Sequence, residues 1–337
     1  MLTLDKILAA TLFTDLFVDG TKKELRQLLK QTHPDLHPKD KDKAEKAFVH
    51  VNLIWTKRND PTPTKAGSNP TAASTIPDDT IITKKHSYLI SKPRRTNNGV
   101  NFYDATYDAG QTKVNLVIAT HPKISTALIE GTKNLKTIRA AIPEDYIEFF
   151  PETLDAFHIQ QDKGVKFSGI AQPSTKEFYS LTEVAEDYPK GISAKDVAWM
   201  YRRMLVALGN THDAGYAHGA PTKDAFLIYP ETHSLVLTNW QFSQELGRNV
   251  SMVTADIKKY YEDDRQTTAK KDLQIASASA ASLLHETSPK RMRVFLNGMS
   301  RYPTNDARQA LQEFDSLLKE LYGERLFHPF RMRRNPA

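Results

Sequence analysis

The 337-residue sequence contains no cysteine, which excludes disulfides, thiolate metal sites and cysteine nucleophiles together. That absence fits a reducing compartment, and a cytoplasmic protein is expected. No apolar run approaches the ~18 residues of a membrane span. The two longest are Ile7–Phe17, broken by Asp15, and Ile275–Leu284, which is rich in Ser and Ala. The first follows a single lysine and ends in no small-residue cleavage site, so neither a signal peptide nor a membrane anchor is expected. A strong charge bias is missing too. With 46 basic and 40 acidic residues, the net charge of +6 permits an acidic partner but gives little support to nucleic-acid binding. The zincin motif is absent, and His212, His218 and His233 lack metal-ligand spacing on one element. His33 and His37 would converge only on a helix, which Pro34 and Pro38 deny, so no metal and no cofactor are expected.

What is present is enough for a folded chain. Hydrophobic residues make up 39%, and 15 Phe, 13 Tyr and 3 Trp exceed what disordered chains carry. The length suits about two domains of typical size. The sharpest change of composition is at residues 60–80, where Pro61, Pro63, Pro70 and Pro77 sit among small and polar residues without periodicity. This reads as a linker with a reach of ~25 Å. The expected organisation is a small unit at 1–59, a linker at 60–84 and a large domain at 85–337.

The small unit reads as a helical hairpin. Thr21 and Glu24 make a capping box, and Leu25, Leu28 and Leu29 follow at helical spacing. That helix must end near Thr32, because Pro34 and Pro38 disfavour helix at the residues before them. A second helix is expected from about Asp42 to Lys57, with Ala44, Ala47, Phe48, Val51, Ile54 and Trp55 as its apolar stripe. Lys22, Lys23, Arg26 and Lys30 lie opposite the leucines and form a positive stripe that would steer an acidic partner.

The residues KKELRQLLKQTHPDLHP, followed by AEKAFVHVNLIW, resemble the J domain of DnaJ-type co-chaperones. The likeness covers most of residues 1–59. It includes the His33-Pro34-Asp35 tripeptide between the helices and the pattern Ala44, Phe48, Val51, Asn52 on the second. The resemblance implies that Lys22, Lys23, Arg26, Lys30, His33, Pro34 and Asp35 engage a DnaK-type chaperone and stimulate its ATPase. The plainer alternative is a solvated helix face beside a turn.

From about Tyr88 the pattern turns to strands and then helices. Strands are expected at Asn101–Tyr107, Val114–Ala119, Phe226–Tyr229 and Ser234–Leu237. Helices are expected at Ala127–Ile138 and from Ser193 to before Gly215, the latter with Asp196 as a capping-box acid. A β-rich part at about 85–180 and a helical part at about 181–330 suggest a two-lobed α+β domain.

The stretch from Trp199 to Ile228, followed by LVLTNW, resembles the catalytic-loop region of protein kinases. The group it is most similar to is bacterial or phage-type proteins that join a J domain to a kinase-like domain. The likeness runs with gaps over about residues 85–330. A working kinase of this pattern needs a strand lysine, a catalytic-loop Asp and two ligands for Mg²⁺. Here the lysine position falls on Val117, with Lys113 and Lys123 as the neighbours that a shifted register would offer. The base position falls on Ala220, the amide ligand on Ala225 and the metal-binding acid on Asn239. No G-x-G-x-x-G precedes these; residues 91–100, SKPRRTNNGV, carry one glycine and three cations. His218 and Asp272 match scaffold residues of the loop, where the resemblance implies that Asp272 holds the loop backbone. The plainer alternative for Asp272 is an exposed acid in a first helical turn.

The resemblance therefore implies a pseudokinase with no catalytic residues. The expected function is a non-catalytic co-chaperone whose second domain binds a client or partner. A residual serine/threonine kinase or ATP-binding switch is the alternative. Lys92, Arg94 and Arg95, with Arg331, Arg333 and Arg334 at the tail, could hold phosphates, or else solubilise the surface. Glu262, Asp263 and Asp264 read as a solvated loop.

Overall fold

A computed structural model describes residues 3–10, 13–17, 22–33, 36–37, 40–56, 80–108, 110–160 and 166–333. Thr21, Pro34, Asp35, residues 57–59, residues 60–79 of the expected linker and Arg334 lie outside them, as do the side chains of Lys22, Lys23, Arg26 and Asn52. The chain divides into two compact units, one of Met1–Ser91 with Ala105–Lys113, the other of Lys92–Asp104 with Val114–Ala337. Among the described residues no helix is long and apolar enough to cross a membrane.

The first unit begins with α1 (Leu4–Ala9), α2 (Phe13–Leu16), α3 (Lys22–Gln31) and α4 (Lys41–Thr56). Ala47, Val51, Ile54 and Trp55 of α4 bury the predicted stripe against Leu25 and Leu28 of α3. The hairpin expectation is incomplete. Ile7 of α1 and Phe17 beyond α2 close the same core, with the Phe17 and Trp55 rings edge to face at 4.9 Å. The His50 ring reaches the Ala10 carbonyl at 2.6 Å. Helix α1 is six residues long, too short to persist without that packing.

The sheet starts with β1 (Thr80–Ile82), which lies inside the segment 60–84 expected as linker. It continues with β2 (Ser87–Asn97), β3 (Val100–Tyr107) and β4 (Thr112–Ala119). At that end the rings of His86, Tyr88 and Tyr107 pack on one another, which groups this part of the hairpins with the first unit.

Helix α5 (Pro122–Ala141) leads to β5 (Asp155–Gln160) and β6 (Lys166–Pro173). The strand order is β1-β2-β3-β4-β6-β5. On the sheet, Val100, Phe102, Val117 and Ile170 form an apolar face covered by Leu128 of α5.

The rest is helical with short strands: β7 (Tyr179–Ser180), α6 (Leu181–Asp187), α7 (Ala194–Asp213), β8 (Tyr216–Ala217), β9 (Phe226–Tyr229), β10 (Ser234–Leu237), β11 (Gln244–Glu245), α8 (Ala269–Ala281), α9 (Lys290–Arg301) and α10 (Ala307–Tyr322). Strands β9 and β10 pair antiparallel with Leu235 opposite Ile228. Val197, Tyr201, Met204, Leu205 and Leu208 of α7 carry the large core, to which α8, α9 and α10 add Leu273, Leu296 and Phe314. Ser193 caps α7 through the Lys195 N–H. Asp196, expected to share in that cap, instead bonds His328 Nδ1 at 3.1 Å across the fold.

Candidate functional site

Two chain segments build the centre of the second unit. The first is the loop after β8, His218-Gly219-Ala220. Asp272 on α8 is fully buried and accepts from the His218 N–H at 2.7 Å, the Gly219 N–H at 2.9 Å and the His212 ring at 3.0 Å. The exposed-acid alternative for Asp272 is therefore wrong. Tyr261 donates its hydroxyl to the Gly219 carbonyl at 2.7 Å, and Gly219 sits at φ +84°, where a side chain would meet the Phe242 carbonyl.

The His218 ring is satisfied as a neutral imidazole. Its Nδ1 accepts from the Ala220 N–H, leaving Nε2–H to donate to the Thr238 carbonyl at 2.7 Å. Burial pushes its pKa below the ordinary value. Ala220 is buried among Phe242, Val250, Ile257, Tyr261 and Ile275. At the place expected for a base, a methyl group stands in an apolar cluster.

The second segment is Thr238-Asn239-Trp240-Gln241. Asn239 takes the left-handed conformation at φ 65°, which Asn tolerates better than most residues. Trp240 lies against α5, where Gly131 leaves room for its carbonyl. A cavity of about 20 Å³ is lined by Phe102, Val117, Leu128, Ile170, Asn239 and Trp240. Val117 and Asn239, expected to mark the lysine and acid positions, thus share one small space. Lys113 and Lys123 are exposed and line none of it, so a shifted register supplies no lysine there. Both side-chain polar atoms of Asn239, and the amide nitrogen of Gln241, are buried without a hydrogen-bond partner among the described residues. Ala225 belongs to the large helical core instead, its carbonyl accepting from the Thr238 N–H at 2.7 Å.

Residues 91–97, which lack the phosphate-cradling glycines, are the second half of strand β2. Charge alone does not reveal what Arg94 and Arg95 meet there. Arg94 donates to the carbonyls of Thr175 at 3.1 Å and Phe178 at 2.7 Å, with Glu183 at 3.9 Å. The Arg95 guanidinium lies 4.1 Å over the Phe102 ring, and its burial lowers its pKa. Beside them the Asn115 amide donates to the Thr175 hydroxyl and accepts from the Thr175 main-chain N–H. The space left among Arg94, Arg95, Phe102, Asn115, Thr175 and Phe178 is about 10 Å³. A solvated or phosphate-holding role for these two arginines is thereby corrected. They fill the space between strand and connecting segment.

His33 is exposed at the end of α3, with its ring 6.1 Å from that of Phe48 on α4. Lys30 is exposed as well. The His37 ring is bonded to the Gln31 carbonyl at 2.7 Å.

No protein-family model matches the chain, and no curated protein is similar to it in sequence. Among solved structures it is similar to one described as the crystal structure of BubR1 kinase domain. The TM-score is 0.54 at 14% identity, over 90% of this chain and 95% of that one. The chain has a kinase-like fold. It has a sheet-rich lobe and a helical lobe, and among the described residues the space beside Val117 and Asn239 holds about 20 Å³ and that beside Arg94 about 10 Å³. Ligand pockets are typically of order 300–1,000 Å³.

Proposed function

We propose that the chain is a non-catalytic co-chaperone. Its N-terminal helices act as a J domain that stimulates a DnaK-type ATPase, and its kinase-like unit is a pseudokinase that binds a client or partner. The observation that carries the second half is the Asp272-held loop: the scaffold is intact, while the residue it presents is a buried alanine. An alanine accepts no proton, Val117 offers no cation and Asn239 is a neutral amide, so the parts that act together in phosphoryl transfer are missing together. The first half is supported by His33 standing exposed between α3 and α4, the setting in which the His-Pro-Asp pattern was read.

The test uses the full chain with a DnaK-type chaperone and follows ATP hydrolysis. Wild type accelerates it, and His33→Gln lowers the acceleration at least tenfold without changing the melting temperature. Equal stimulation by the two forms overturns the co-chaperone reading.

The unpartnered amides of Asn239 and Gln241 favour a second reading, an ATP-binding switch whose cleft opens to use them. Millimolar ATP with Mg²⁺ then raises the melting temperature, since binding to the folded state stabilises it. The pseudokinase reading expects no phosphate transfer in either case.

A further inference from the structure

A groove of about 620 Å³ opens in the second unit where β7, the turn between β9 and β10 and the tail beyond α10 meet. Rings and prolines dominate its lining: Tyr179, Tyr229, Pro230, Phe327, Pro329 and Phe330. Tyr179 and Tyr229 come from the paired strands β7 and β9, and the Phe178 ring stacks on Tyr229 at 5.5 Å. The tail has neither helix nor strand through Met332, yet it is held. Phe330 and Met332 are buried, the Tyr188 hydroxyl donates to the Arg331 carbonyl, and the Arg333 N–H donates to Asp187.

Phe327 is 64% exposed and nonetheless fixed. Its ring stacks on His233 at 4.4 Å, and the other side of that stack is Trp199, parallel to His233 at 4.1 Å. His233 reaches this place through a left-handed backbone, φ 56°, at the end of the β9–β10 turn. A strained turn that fixes an exposed ring adds little to a core; it supplies a preorganised apolar face. Two carboxylates border the same rings. Glu231 accepts from the Tyr229 hydroxyl at 2.8 Å, and that bond, with the charges of Glu231 and Glu177 adding to it, holds the Tyr229 pKa above its ordinary value. Both acids are exposed, and neither has a cation paired with it among the described residues. One cation, Arg331, lines the groove as well, so two carboxylates to one guanidinium leave it acidic on a chain whose net charge is +6.

We propose that this groove docks a proline-rich, basic segment of a partner protein, its prolines against Tyr179, Tyr229 and Phe327 and its cation on Glu177 and Glu231. A polyproline II segment is extended before it binds, so it loses little entropy on entering a groove lined with rings. The carboxylates at the β9–β10 turn set its direction by charge complementarity. The net charge of the chain repels a cationic ligand, so a locally acidic surface is what selects one. The proposal rests on the reading that the kinase-like unit binds a partner, and it gives that partner a surface and a chemistry; no DnaK-type chaperone enters its test.

The experiment is a fluorescence-anisotropy titration of the full chain into a labelled Pro-Pro-Arg repeat peptide at fixed ionic strength. A Gly-Ser-Arg repeat of equal charge and a Pro-Pro-Glu repeat of opposite charge run beside it. Saturable binding of the Pro-Pro-Arg peptide is expected, with the other two at least tenfold weaker. Glu177→Gln/Glu231→Gln and Phe327→Ala should each weaken binding at least tenfold, and because all three side chains are exposed, the variants should melt close to wild type. Equal binding of the two arginine repeats, no saturable binding of the first, or binding unchanged in both variants overturns the proposal. Such a failure alongside full stimulation of ATP hydrolysis strikes this surface and leaves the co-chaperone reading standing.

Discussion

Gly131 and Trp240 are in backbone contact so close that a single added carbon on Gly131 would lie 2.1 Å from the Trp240 carbonyl oxygen. The clash is with main chain, so no side-chain rotation relieves it. Helix α5 and the Asn239-Trp240 segment therefore hold one spacing.

Gly131→Ala is the direct test of that spacing. On an exposed helix the change would gain about 1 kcal/mol. Here overpacking against backbone reverses the sign, with a loss of about 3 kcal/mol. For a domain of this size that is a fall of roughly 6–12 °C in melting temperature. A variant as stable as wild type would show that α5 stands further from the segment than described.

Asp272→Ala removes the acceptor of two loop N–H groups and of the His212 ring, all in a dry environment. The expected cost is about 3–5 kcal/mol, the range for stranding buried partners of a charge. Amide exchange supplies the local readout: protection at His218 and Gly219 should collapse before that of α7. Unchanged protection there would mean that Tyr261 and Phe242 hold the loop unaided.

Acid should weaken the fold through His218. Its folded-state pKa lies below the ordinary 6.5 because burial disfavours the imidazolium, so below that pH the unfolded chain takes up a proton that the folded chain resists. Stability is full above about pH 6.5 and falls as the pH is lowered through that value. His233, also depressed by burial, adds to the slope, whereas Asp196, raised by burial, opposes it at more acid pH. Urea unfolding at pH 7.5 and 5.5 measures the difference, and His218→Gln should reduce it even if it lowers stability at both. An identical pH difference in the variant would assign the effect elsewhere.

Much of the helical lobe was legible before any coordinates. The stripe of α7 and the edges of β9 and β10 fall where periodicity puts them, because burial on one side imposes a regular pattern on the residues. Helix α1 was not legible, since six residues show less than two turns of pattern and its burial is decided by α4. Arg94 and Arg95 were misread for a different reason. Two adjacent cations in a polar run look like solvated surface, and only the position of the Thr175 and Phe178 carbonyls, some eighty residues on, shows otherwise. Asp272 could be placed through its resemblance to a scaffold acid, while its neighbours on α8 say nothing of the loop it holds.

The guanidinium of Arg94 has a consequence for chemical probes of this protein. It is tethered beside the two carbonyls it serves, at an effective concentration that no dissolved compound matches. A ligand that sought those two carbonyls as acceptors would first have to displace the Arg94 guanidinium. Shortening the side chain at position 94 should therefore free both acceptors at once.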